Sequence, residues 1–271
     1  MRTSQQALLT SLERAVRACR PLAFRYFTSS TLRVERKPDR SPVTAADRAI
    51  EERLRRDLAR LCPGEAVIGE EGGSDGAGGA LGTSYWTIDP IDGTRAFSRG
   101  LPSWGMMIGR VERGRATLGV CDFPAIDTTI GVAPGIKPYE RCRGRVAWWP
   151  KARPVSSLSH AVIFHGGAHW WAATPYAAGF ARLVRGCYLE RAYGDCYGYL
   201  WMLRGHVDVI LDYGVKLWDL VPLAPFAQAT GRALADCSGR ESFTGPETLM
   251  AHPRTIQLVV KMLRTTRRSQ R

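Results

Sequence analysis

The stretch Trp86-Thr87-Ile88-Asp89-Pro90-Ile91-Asp92-Gly93-Thr94-Arg95-Ala96-Phe97 constrains this chain more than any other. Tyr85, Trp86, Thr87 and Ile88 are aromatic or β-branched and predict a short buried strand. The strand is expected to break at once into a turn carrying Asp89 and Asp92, stiffened by Pro90. Two carboxylates held close repel unless a cation lies between them, and hard cations such as Mg²⁺ take oxygen ligands. Asp92, Gly93 and Thr94 can cap a following helix, whose leading N–H groups and positive dipole end suit a phosphate. A lone D-x-x-D-G is normally an ordinary surface turn. Here acidic partners elsewhere in the chain favour chemistry.

At 271 residues the chain can bury a substantial core, in one large domain or two closely joined ones. No apolar run approaches the roughly 20 residues that span a bilayer. The opening Met1-Arg2-Thr3-Ser4-Gln5-Gln6 lacks the apolar centre of a secretory signal, so a cytoplasmic protein with no membrane partner is expected. Seven cysteines are scattered without a C-x-x-C pair and read as reduced thiols, not as a zinc or disulfide framework. The net charge of +13 invites a nucleic-acid reading. Its arginines are dispersed, however, and no recognition motif accompanies them. No specific nucleic-acid partner is expected, only adhesion to polyanions at low salt.

Upstream of the central stretch, Leu8, Leu12, Val16 and Cys19 recur at helical spacing, and Pro21 marks a break before 22–27. Residues 33–42 read as polar and extended. Ile50, Leu54, Leu58 and Leu61 predict a second helix, with Thr44 or Asp47 as its N-cap. Residues 66–71 read as a strand whose end presents Glu70 and Glu71, followed over 72–84 by a glycine-rich, mobile surface loop. Strands are expected over 104–111 and 117–123, joined at Arg113-Gly114, with another over 128–133. Prolines and basic residues over 134–145 suggest a seam between parts 1–145 and 146–271, the second carrying the last acidic motif. That second part should contain strands over 160–164, 188–191 and 207–211 and helices over 175–184 and 197–203. A further helix, opened by Lys216-Leu217-Trp218-Asp219, should run toward Gly231. His165 and His169 are four residues apart, but Gly166-Gly167 between them argues against a helix, which leaves ordinary polar histidines.

Gly69-Glu70-Glu71, the D-P-I-D-G-T beginning at Asp89, Trp218-Asp219, and Asp47 in its V-T-x-x-D context resemble, in order and spacing, the inositol monophosphatase superfamily of Mg²⁺-dependent, lithium-sensitive phosphatases. The resemblance runs over about residues 5–255. It implies an α+β fold layered α/β/α/β/α and a homodimer. It also implies two or three Mg²⁺ ions, with Mn²⁺ as a possible substitute and Li⁺ as an inhibitor. Glu70, Asp89 and the Ile91 carbonyl would hold one ion, and Asp89, Asp92 and Asp219 a second. Thr94, hydrogen-bonded to Asp47, would position and deprotonate the attacking water. The backbone N–H groups of Gly93 and Thr94 would cradle the phosphate. Phosphate monoesters hydrolyse very slowly unaided, so heavy charge stabilisation is what such a site must supply. No cysteine, serine or histidine sits in a convincing nucleophile setting, so direct attack by water is expected.

The alcohol side offers Asp212, seven residues before Asp219, and Asp195 in Gly194-Asp195-Cys196-Tyr197-Gly198-Tyr199. A cationic amino alcohol would use the extra carboxylate of Asp195, whereas a neutral polyol has no need of it. The G-D-x-Y-x-Y pattern, the D-G-T-R-x-F variant that brings in Arg95, and Gly119-Val120-Cys121-Asp122-Phe123-Pro124-Ala125 resemble the histidinol-phosphate phosphatase branch. L-Histidinol phosphate is therefore the preferred small-molecule phosphate monoester. On the plainer reading Asp195 merely caps the next helix. An inositol-1-monophosphatase, or a broader sugar or polyol phosphatase, would share every metal ligand. A non-catalytic nucleic-acid-binding protein on the same fold is the alternative from a different class.

Overall fold

Apolar side chains at helical spacing place the first helices. In the computed structural model, which describes residues 4–27, 29, 33–37, 42–75 and 84–264, α1 spans Gln5–Ala18 and α2 spans Arg20–Phe27. Leu8, Leu9, Leu12 and Val16 bury one face of α1, and the Ser4 hydroxyl accepts the Ala7 N–H to cap it. Pro21 falls in the first turn of α2, where its missing N–H costs nothing, so the break expected there separates two helices. The extended stretch becomes a two-stranded ribbon, β1 (Val34–Arg36) against β2 (Pro42–Thr44). The ribbon feeds α3 (Ala45–Leu61), which opens on a capping box between Thr44 and Asp47.

An eight-stranded sheet follows. Its strands are β3 (Ala66–Gly69), β4 (Gly73–Ser74), β5 (Ser84–Asp92), β6 (Gly105–Glu112), β7 (Arg115–Phe123), β8 (Thr128–Ala133), β9 (Ile136–Cys142) and β10 (Arg145–Trp148), in the order β10-β9-β8-β7-β6-β5-β3-β4. β3 and β5 run parallel, and β5 through β10 form an antiparallel meander. Arg113 and Gly114, both at positive φ, make the two-residue turn between β6 and β7.

Several expectations need correcting. The seam lies just past the expected place: residues 134–145 supply β9 and lead into β10, which extend the sheet, and the first unit's main segment ends at Trp148. Most of the glycine-rich connection, residues 76–83, lies outside the described residues, and its near end pairs as β4 instead of looping. β5 does not stop at Ile88 but runs through Asp92, its register against β6 slipping between Asp89 and Asp92. Pro90 has no N–H to give the ladder and Ile91 is fully buried, so the chain bulges there instead of turning away. The helix expected from 216 toward Gly231 is two short ones, α8 (Leu217–Leu220) and α9 (Ala224–Ala229), with Pro222 between them.

The chain divides into two compact units, and the division is not linear. Met1–Trp148 and Leu217–Phe226 form one; Trp149–Lys216 and Ala227–Arg271 form the other. The last acidic motif was expected in the second part, yet it belongs to the first unit. Two sheet glycines explain this. A Cβ on Gly109 would lie 2.7 Å from the Pro222 nitrogen, and one on Gly119 would lie 2.0 Å from the Pro222 oxygen. Only bare backbone lets the Leu217–Phe226 segment lie this close on β6 and β7. Helix α4 (Thr94–Phe97) completes the central stretch in the same unit.

The second unit holds a five-stranded sheet ordered β12-β11-β13-β15-β14. These strands are β11 (Val162–His165), β12 (Leu189–Arg191), β13 (Val209–Tyr213), β14 (Ala233–Ala235) and β15 (Glu247–Ala251). Helices α5 (Ala168–Ala172), α6 (Ala177–Gly186), α7 (Asp195–Leu203) and α10 (Pro253–Leu263) accompany it, and Phe180, Leu183, Val259 and Leu263 pack its core.

Candidate active site

The first unit gathers Asp47, Glu70, Asp89, Ile91, Asp92, Gly93, Thr94 and Asp219. Asp47 lies in the first turn of α3 and is fully buried. Its Oδ2 accepts the Thr44 N–H at 2.7 Å and the Thr44 hydroxyl at 2.6 Å. Its Oδ1 faces the Thr94 hydroxyl at 3.4 Å, and that hydroxyl also donates to the Ile91 carbonyl at 3.0 Å. Burial pushes the Asp47 carboxyl up to about 6, although the Thr44 hydroxyl and amide pull the other way.

Gly93 links the bulged end of β5 to α4 with φ +86°, and a Cβ there would stand 2.7 Å from the Ser103 carbonyl. Both observations require glycine. Beneath it Phe97 meets Trp104 edge-on at 4.9 Å, with Phe27 against both rings. The Gly93-Thr94 turn is thus backed by packed aromatic rings. Arg95 is exposed on α4.

Asp89 and Asp92 come from the end of β5, and Asp219 from α8, which packs on β5 and β6. One carboxylate oxygen from each lies within 4.8 Å of the other two. Burial, then Glu70, Asp92 and Asp219, hold the Asp89 carboxyl well above the usual carboxylate range. The Asp89 Oδ1 also accepts the Ile91 N–H at 3.0 Å, which orients it. An all-oxygen donor set of this charge fits a hard dication.

Glu70 follows β3 and acts electrostatically on Asp89, but it stands outside that trio, its Oε1 taking the Lys37 ammonium at 2.7 Å. Lys37 also reaches Glu71, whose carboxyl burial raises to about 7 against the pull of the lysine. Lys37 carried no motif and escaped the sequence reading; a basic residue ahead of the acidic strand end was the available signal.

Asp195 and Asp212 meet in the second unit. The Asp195 N–H donates to Asp212 Oδ2 at 3.3 Å. Asp212 is 5 % exposed, its carboxylate seated against Gly166 and Gly194, where added Cβ atoms would lie 1.8 and 2.6 Å from it. Asp195 opens α7 directly after Gly194 and is held at φ +54°. His165 ends β11 and His169 lies in α5; the buried His165 pairs with Glu190 through Nε2 at 2.6 Å.

The inositol monophosphatase family profile matches residues 4–269, and the chain belongs to that family. A histidinol-phosphatase of Mycobacterium tuberculosis is 35% identical over 221 residues, covering 79% of this chain and 81% of that protein. A histidinol-phosphatase of Chlorobaculum parvum is 30% identical over 248 residues, covering 90% and 91%. The solved inositol monophosphatase of Zymomonas mobilis superposes with a TM-score of 0.80 at 25% identity, covering 97% of this chain and 99% of that one.

Proposed function

We propose that this chain is a Mg²⁺-dependent histidinol-phosphate phosphatase, converting L-histidinol phosphate and water to L-histidinol and phosphate. The observation that carries the reading is the convergence of Asp89, Asp92 and Asp219 on one point beside a buried Asp47–Thr94 pair. Asp89, Asp92, Asp219, Glu70 and the Ile91 carbonyl would hold the metal, Mg²⁺ or in its place Mn²⁺. Bound there, it supplies positive charge that acidifies a water and neutralises the departing alkoxide.

The chain's own groups do the rest. Gly93 and Thr94 offer backbone N–H groups to the phosphate, with Arg95 beside them. The Thr94 hydroxyl orients the attacking water and passes its proton to Asp47. No side chain is phosphorylated: water forms the new P–O bond as the ester P–O bond breaks. On the family resemblance Asp195 would receive the cationic amino group of the alcohol, and within its own unit Asp212 anchors the Asp195 N–H. The named relatives support this substrate. A homodimer is part of the reading on family resemblance alone, and a cytoplasmic location on the sequence pattern alone; among the described residues no helix is long and apolar enough to cross a membrane.

Phosphate release from L-histidinol phosphate, measured in excess chelator and again after Mg²⁺ is restored, tests the proposal. Turnover should vanish with the metal and return with it. Asp89→Asn should lose roughly 10³-fold in kcat, the order seen when one preorganised electrostatic partner is removed. Turnover that ignores the chelator, or an Asp89→Asn enzyme as fast as the parent, would overturn it.

A further inference from the structure

One buried charge in the first unit has no part in the chemistry above. Glu51 sits one helical turn beyond Asp47 on α3, 2 % exposed among Ile50, Leu54 and Leu58. Its Oε2 accepts the Glu71 N–H at 2.7 Å and its Oε1 accepts the Gly72 N–H at 2.8 Å. Arg55, the next turn along, donates Nε to the same Oε1 at 2.8 Å. The Arg55 guanidinium then reaches the Val67 carbonyl, the Gly73 carbonyl and Asp75, tying both sides of the β3–β4 turn together.

The turn is shaped around that carboxylate. A Cβ on Gly69 would lie 2.2 Å from Glu51 Oε1, and one on Gly72 would lie 2.7 Å from it. Glycines on both sides of Glu70-Glu71 therefore admit the Glu51 head group flat against the backbone. The Glu70 N–H donates to the Ile88 carbonyl at 3.2 Å, one residue before Asp89, so the turn is pinned from both sides. A carboxylate buried this deeply would be costly without such donors.

The geometry points to Glu51 as a positioning residue that sets the Glu70 carboxylate for metal binding, an inference that rests on Glu70 being a ligand. Asp47 and Glu51 then make α3 one bar with two fixed points, the first at Thr94 and the second at the Glu70 turn. Glu51 itself touches neither substrate nor metal. Outer hydrogen-bond partners of this kind cost 10- to 100-fold in metal affinity or activity when lost.

The test is direct Mn²⁺ binding followed by electron paramagnetic resonance, with kcat read at rising Mg²⁺. Glu51→Gln keeps the volume but places an amide where one backbone N–H needs an acceptor. It should weaken Mn²⁺ binding about tenfold or more and raise the Mg²⁺ concentration for half-activity in step. Saturating Mg²⁺ should restore kcat to within about threefold, with KM for substrate unchanged, a split that general unfolding would not give. Gly72→Ala, which leaves Glu51 in place but displaces its head group, should shift metal binding in the same direction and serves if Glu51→Gln does not fold. Glu70→Gln is the control. If it weakens Mn²⁺ binding while neither other variant does, the positioning role is overturned and the ligand role stands. If Glu70→Gln binds Mn²⁺ like the parent, both fall.

Discussion

Asp47 shows how one residue can serve structure and chemistry at once. Its Oδ2 closes the capping box of α3, while its Oδ1 faces the Thr94 hydroxyl. The two oxygens do different work, so the helix cap fixes the direction of the oxygen that would accept a proton under the proposed function. Burial raises this carboxyl to about 6. A group that must be ionised to accept a proton loses activity as pH falls below its pKa, and bound Mg²⁺ favours the ionised form, so kcat at saturating Mg²⁺ should drop on the acid side at a pH below about 6. Asp47→Asn should lower kcat by roughly 10² or more, as removal of a general base does, and should remove that acid limb. A pH–rate profile of both enzymes decides the point; an unchanged limb in Asp47→Asn would assign the titration to another group.

Among elements, the bulged end of β5 and the short α4 matter most. Gly93 must adopt φ +86° with the Ser103 carbonyl against its Cα. Gly93→Ala should cost about 1–2 kcal/mol for the left-handed backbone alone, with more for the contact. Urea denaturation should show that loss, together with a fall in kcat, since the bond to Phe97 N–H and the N–H groups of the turn move with it. The elements legible from sequence were those with local signals: the α3 stripe with its Thr44 cap, the β6–β7 hairpin turning at Arg113-Gly114, and the carboxylates of the D-P-I-D-G-T run. What escaped depended on distant partners. Nothing near Pro90 announces that Ile91 is pulled into the core and keeps β5 running. Residues 134–145 look like a linker until β8 offers them an edge. Glu51 lies on a largely apolar helix face, and its burial is offset by the Glu71 and Gly72 N–H groups and the Arg55 guanidinium, which no local pattern announces.

At the scale of the whole molecule the chain crosses between its units three times. It leaves the first unit after Trp148, returns for Leu217–Phe226 and leaves again. That return delivers Asp219 to Asp89 and Asp92, and Gly109 and Gly119 make room for it by receiving Pro222. The carboxylate trio is thus a tertiary product of one unit, while Asp195 and Asp212 are organised within the other. Under the proposed function, Asp195→Ala should alter the choice of alcohol without touching the proposed metal ligands. Phosphate release with Mg²⁺ from L-histidinol phosphate and myo-inositol 1-phosphate, side by side, measures that selection. At least a tenfold preference in kcat/KM for L-histidinol phosphate, about 1.4 kcal/mol, is the predicted result; an equal or greater rate constant for the inositol ester would contradict it.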